Sequence, residues 1–111
     1  MTGKRAATLT PFAGHGPRAA ALSRHRRTVL DLVGSYGGRD VHVFGSVARG
    51  TDHDDSDIDL VFVEERPISM YSSIRLHQTL GQLLGCRVDL FATRELPATT
   101  LDEIARDAVP L

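Results

Sequence analysis

Ten residues separate Ser46 from Asp57, and the two ends of that interval have opposite chemical characters. At the first end a Gly-Ser pair, Gly45-Ser46, closes the short run 41–44. Glycine lets another group approach the backbone closely and permits a sharp turn. Ser46 offers a hydroxyl and a backbone N–H. The following Val47-Ala48-Arg49-Gly50 suits one helical turn, whose unpaired amides would face a phosphate. Arg49 adds a permanent positive charge nearby. At the second end Asp57 and Asp59 open the apolar run 58–63. Two carboxylates on an apolar strand repel each other and resist desolvation. A divalent cation relieves both problems. Mg²⁺ prefers a few carboxylates together with phosphate oxygens, which suits a nucleoside triphosphate.

Two strands have to bring these ends together. Val41, Val43 and Phe44 are strand formers, and Ile58, Leu60, Val61, Phe62 and Val63 read as a mostly buried strand. Side chains two apart on a strand share a face, so Asp57 and Asp59 project to one side while Ile58 and Leu60 pack on the other. Antiparallel neighbours would juxtapose Gly45 and Asp57, with residues 47–56 looping between them. Phosphate loop and carboxylates then share one mouth.

The stretch Phe44-Gly45-Ser46-Val47-Ala48-Arg49-Gly50, followed by Asp55-Ser56-Asp57-Ile58-Asp59-Leu60, resembles the signature of the nucleotidyltransferase superfamily of DNA polymerase β. It looks most like the minimal nucleotidyltransferases. That family carries a third Asp on a later strand, often as Val-Asp-Leu, and this chain has Val88-Asp89-Leu90. The resemblance implies an α/β (α+β) nucleotidyltransferase fold: a small mixed sheet of at least three strands flanked by helices. It implies Gly45, Ser46 and Arg49 as nucleotide-binding residues. Asp57, Asp59 and Asp89 would be the catalytic metal ligands, holding two Mg²⁺ ions, with ATP as substrate. Minimal members are often antitoxins paired with a HEPN-domain RNase toxin, to whose tyrosine hydroxyl they transfer AMP. Two alternatives stay open: an antitoxin that neutralises by binding alone, and transfer to a small molecule such as an aminoglycoside.

Composition bounds these readings. The chain has 111 residues, enough for one small domain, and 41% of them are hydrophobic. The net charge of −1 gives no global basic field for direct nucleic-acid binding. One cysteine, Cys86, excludes an internal disulfide framework and fits a reducing cytoplasm. Nothing in its sequence neighbourhood marks it as an activated thiol, so it reads as structural. No apolar run approaches a membrane span, and Lys4-Arg5 is not followed by the apolar segment of a signal peptide. A second substrate domain has little room, which favours a protein acceptor.

Residues 1–16 read as a flexible tail ahead of a domain over 17–111. Residues 17–36 predict one helix with Leu22, Val29, Leu30, Val33 and Tyr36 inward and the basic cluster Arg24–Arg27 on a solvated face. His42 falls on the opposite face of its strand from Val41 and Val43. Asp52, His53, Asp54 and Asp55 read as a polar loop rather than a second metal site. A second helix over 68–85 would bury Ile74, Leu76, Leu80, Leu83 and Leu84, ending at Gly85. It is long enough to be a crossover to the strand bearing Asp89. Thr100-Leu101-Asp102-Glu103 has the form of a capping box for a last helix.

Overall fold

The computed structural model describes residue 12 and residues 14–111. Most of the segment 1–16, expected to be a flexible tail, lies outside the described residues. Helices α1 (Pro17–Arg24) and α2 (Arg26–Ser35) precede β1 (Gly38–Phe44), the single turn α3 (Gly45–Arg49) and β2 (Ile58–Glu64). The long helix α4 (Met70–Leu84) leads to β3 (Val88–Ala92), a 3₁₀ turn (Thr93–Glu95), α5 (Ala98–Ala105) and a short β4 (Val109–Pro110).

The strands form one mixed sheet in the order β3-β2-β1-β4. Strands β1 and β2 are antiparallel, and β2 and β3 are parallel through the α4 crossover. Alternation of side chains divides the sheet cleanly. Val41, Val43, Ile58, Leu60, Phe62, Val88, Leu90 and Ala92 share a core with Leu22, Val29 and Val33 of the first helices and Leu76, Leu80 and Leu84 of α4. On the opposite face stand Phe44, Asp59, Asp89 and Phe91, all only partly buried. Parallel strands want cover on both faces, yet this face keeps polar groups accessible.

Four details differ from the sequence reading. The expected single helix over 17–36 is broken at His25. Its halves are anchored to different parts of the chain. The N-terminus of α1 is held by Asp52, whereas Arg26 at the start of α2 donates from Nε to the Leu111 carbonyl at 2.6 Å. The last helix begins after Pro97, so Thr100 and Glu103 lie inside it rather than capping it. Ile74, expected inward, is 51% exposed beside Met70 and Tyr71. Val109–Pro110, for which the sequence predicts no element, supply the fourth strand; just beyond it Leu111 N donates to the Val41 carbonyl at 2.9 Å, and the Leu111 side chain is buried. Proline is tolerated there because the strand is at the sheet edge.

Candidate active site

The register of the sheet sets the geometry. Phe44 stands opposite Asp59, and Asp59 opposite Asp89, so three adjacent strands present these residues in one row. The chain leaves β1 through Gly45 at φ 74° and turns at once into α3. A Cβ built on Gly45 would lie 2.3 Å from Asp59 Oδ2, so the carboxylate rests directly against the glycine backbone. Ser46 follows, half-buried, with its carbonyl accepting from Thr51 N at 2.9 Å.

Burial pushes the Asp59 carboxyl from its ordinary 3.8 up to about 6, helped by the charges of Asp89 and Asp57 and a hydrogen bond with Asp89, while Arg49 pulls it down. This is the electrostatic signature of carboxylates held together without enough positive charge. Two arginines supply part of that charge. Arg87 Nε lies 3.1 Å from Asp89 and 3.8 Å from Asp57. Arg49 Nη1 donates to Asp107 Oδ2 at 2.9 Å, tying α3 to the chain just beyond α5.

Among the described residues no group of three acidic, histidine or cysteine side chains converges into a complete cation cage. The donor set still suits Mg²⁺. That ion retains waters and takes only one or two protein carboxylates, the remaining positions going to substrate phosphates. The register that sets Asp59 beside Asp89 is the observation in favour, since a dication would offset the burial and mutual repulsion that push the Asp59 carboxyl up.

The loop before Asp57 has its own fastening, which sequence reasoning missed. Asp52, read as part of a polar loop, is 8% exposed. Its Oδ2 accepts from Arg18 N at 2.9 Å and Ala19 N at 3.1 Å, capping α1 from 33 residues away in sequence. Helix α1 has no cap from its own preceding residue, Gly16. In return Arg18 donates from Nε to the Ser56 carbonyl at 2.7 Å and from Nη2 to the Asp54 carbonyl. Ser56 Oγ accepts from His53 N at 2.8 Å, closing the turn. Nothing local in the sequence signals the pairing of Arg18 with residues 52–56. We expect Asp52→Ala to lower unfolding free energy by about 2 kcal/mol, at the upper end for a lost helix cap because the group is buried. Asp52→Asn, which keeps an acceptor, should lose less; urea denaturation of the two variants checks the order.

Cys86 is free, and burial raises its thiol above the ordinary value, consistent with a structural rather than activated cysteine. No helix among the described residues is long and apolar enough to cross a membrane.

The chain matches the family described as polymerase beta nucleotidyltransferase over residues 39–111. It is 34% identical over 88 residues to the protein adenylyltransferase MntA of Thermococcus cleftensis, covering 79% of this chain and 86% of that protein. A solved structure described as a candidate minimal nucleotidyltransferase has a TM-score of 0.76 at 39% identity, covering 84% of this chain and 95% of that one. A chain in a toxin–antitoxin crystal structure with AMP-PNP shares the fold, with a TM-score of 0.68 at 22% identity over 76% of this chain and 69% of its own. The family match takes in the Gly-Ser turn after β1, Asp57 just ahead of β2, Asp59 within it and Asp89 on β3, and the chain belongs to the polymerase β nucleotidyltransferase family.

Proposed function

We propose that this protein is a Mg²⁺-dependent protein adenylyltransferase and an antitoxin, transferring AMP from ATP to a tyrosine hydroxyl of a HEPN-domain toxin in the cytoplasm. The observation that carries the reading is the row formed by Asp89, Asp59 and the Gly45 turn across three adjacent strands. The similarity to an archaeal protein adenylyltransferase over most of both chains supports the choice of acceptor class.

Asp57, Asp59 and Asp89 would hold the cations, two in number. Bound there, Mg²⁺ supplies neutralisation of the triphosphate and stabilises charge on the attacking and leaving oxygens. The chain's own groups do the rest. The amides of the Gly45–Ser46 turn and the Ser46 hydroxyl bind the β- and γ-phosphates. Arg49, 54% exposed and paired with Asp107, would leave that carboxylate to reach them. Asp89, at the β3 edge, takes the proton of the acceptor hydroxyl. The tyrosine oxygen bonds to the α-phosphorus, the bond from that phosphorus to the β-bridging oxygen breaks, and pyrophosphate leaves with the electron pair.

The test uses ATP labelled at the α-phosphorus, Mg²⁺, the purified protein and the product of the adjacent gene. We expect label on the partner with wild type and none with Asp57→Asn. A partner bound and inhibited but never labelled would leave an antitoxin acting by occlusion. Labelling of a small molecule with no protein acceptor present would overturn the protein-acceptor assignment.

A further inference from the structure

Asp59 and Asp89 owe their places to the sheet, but Asp57 does not. Asp59 is paired on both sides, with Phe44 of β1 and Asp89 of β3. Asp57 stands one residue ahead of β2, where the pairing begins at Ile58. Its position therefore has to come from the peptide groups on either side of it. A peptide unit is planar, so holding a carbonyl oxygen also orients the N–H and the Cα that follow. The Ser56 carbonyl accepts from Arg18 Nε at 2.7 Å, which orients the peptide carrying the N and Cα of Asp57. On the other side Ile58 N donates to the Arg87 carbonyl at 3.0 Å, which orients the peptide after Asp57. Together the two contacts restrict both backbone dihedrals of Asp57. Ser56 is fixed further by its own turn, in which its N donates to the His53 carbonyl at 2.9 Å.

We infer that Arg18 is the positioning residue for Asp57: through the Ser56 carbonyl it holds the Asp57 carboxylate where it can share a divalent cation with Asp59 and Asp89. The inference rests on the proposed cation role of those carboxylates. Three features of Arg18 fit it. Its guanidinium reaches two carbonyls of the loop, those of Ser56 and Asp54, which a planar fork of donors can do and an ammonium does poorly. Its base is rigid, because its backbone N is held by Asp52 at 2.9 Å and the next residue, Ala19, is fully buried. Its side chain is not what caps the helix, since Asp52 caps α1 through the backbone N–H groups of Arg18 and Ala19. Removing the guanidinium therefore releases the loop and leaves the cap in place. The contrast with Arg87 is chemical. Arg87 lies against the carboxylates of Asp57 and Asp89 and competes with a cation for them. Arg18 grips carbonyls and leaves the carboxylates free to bind.

Binding of Mn²⁺, which shares the preference of Mg²⁺ for six oxygen ligands, tests the assignment without turnover. Electron paramagnetic resonance would follow it on wild type, Arg18→Met, Arg18→Lys, Arg26→Met and Asp57→Asn. Arg18→Met keeps an apolar stem and loses the fork. Its Mn²⁺ affinity should fall about tenfold to a hundredfold, the scale for groups that orient a cation's ligands. Arg18→Lys can still donate to Ser56 and should recover part of that loss. Arg26→Met is the control: it removes an arginine-to-carbonyl bond of the same kind, to Leu111, from the neighbouring helix, and should leave Mn²⁺ affinity unchanged. In the labelled-ATP assay Arg18→Met should need correspondingly more Mg²⁺ for half-maximal transfer and keep its KM for the protein acceptor. Unchanged Mn²⁺ affinity in Arg18→Met would overturn the assignment. So would an equal loss in Arg26→Met, which would make the effect one of general stability. Wild type that binds Mn²⁺ no more tightly than Asp57→Asn would instead sink the cation reading of the carboxylates, a failure distinct from either.

Discussion

Replacing Asp59 with asparagine will abolish nucleotidyl transfer and, in the same molecule, raise the thermal stability of the cation-free protein. The two effects have one cause. Asp59 sits where burial, Asp89 and Asp57 all disfavour its ionised form, and its carboxyl is held at about 6. At neutral pH without a cation the folded protein therefore carries an ionised group in an unfavourable place, and unfolding relieves it. Asparagine keeps the shape and removes the charge. It also removes a proposed cation ligand, so transfer should fall about a thousandfold or more, the scale expected when stabilisation of transition-state charge is lost. Thermal unfolding at pH 7.5 without Mg²⁺, run beside the transfer assay, reads both effects. A variant that loses stability along with activity would make Asp59 a structural carboxylate.

The pH dependence follows with a definite sign. The folded-state value of about 6 lies above the ordinary 3.8. Between these values the folded protein binds more protons than the unfolded chain. This carboxyl's contribution to stability is thus greatest below about pH 4 and is lost as pH rises through about 6, then stays level. Divalent cations compete with that proton, so Mg²⁺ stabilisation should appear as pH rises through the same window. In Asp59→Asn the fall between pH 4 and pH 6 should disappear. Arg87 tunes the same balance: it lies beside Asp57 and Asp89 with its own side chain 72% exposed. Arg87→Gln should tighten Mg²⁺ binding several-fold by removing a competing cation, as a Mg²⁺ titration followed by thermal shift would record.

What the sequence exposes here is what depends on neighbours along the chain. Strand alternation alone is enough to put Asp57 and Asp59 opposite Ile58 and Leu60. The length of α4 is enough to make β2 and β3 parallel, and that pairing sets Asp89 beside Asp59. Gly85 does end α4, because a residue in the left-handed region stops a helix locally. The features that stayed hidden depend on contacts between distant segments. Asp52 looks like one of several loop carboxylates until α1 is docked over it, and then it is the buried one. The break at His25 has no proline or glycine to announce it; it follows from α1 and α2 being fastened to different places. Strand β4 is two residues long and contains a proline, so only its pairing with His42 and Val43 makes it a strand. Arg49 was expected to face phosphate, and its salt bridge to Asp107 depends on where α5 ends up.

Gly45→Ala should cost both stability and nucleotidyl transfer. Two penalties combine at this residue. Its φ of 74° lies in the left-handed region, where an ordinary side chain costs roughly 1–2 kcal/mol. The added Cβ would also stand 2.3 Å from Asp59 Oδ2, closer than two such atoms can approach. Either the turn shifts, moving the Ser46 amide, or Asp59 shifts, leaving its place beside Asp89. Both movements break the alignment between phosphate loop and carboxylates, and misplacement of about 1 Å in a site of this kind costs about a hundredfold in rate. We expect a stability loss of about 1–3 kcal/mol together with loss of transfer. Gly50 provides the control, since its φ of 77° is nearly the same but the nearest atom to an added Cβ is His15 Cδ2 at 3.9 Å. Gly50→Ala, which meets the same backbone penalty without a collision, should lose about 1–2 kcal/mol and retain transfer. Chemical denaturation and labelled-ATP transfer on the two variants separate backbone strain, which they share, from the collision with Asp59, which only Gly45→Ala suffers. Equal loss of activity in both would mean that strain at the ends of α3, rather than the contact with Asp59, makes glycine necessary at position 45.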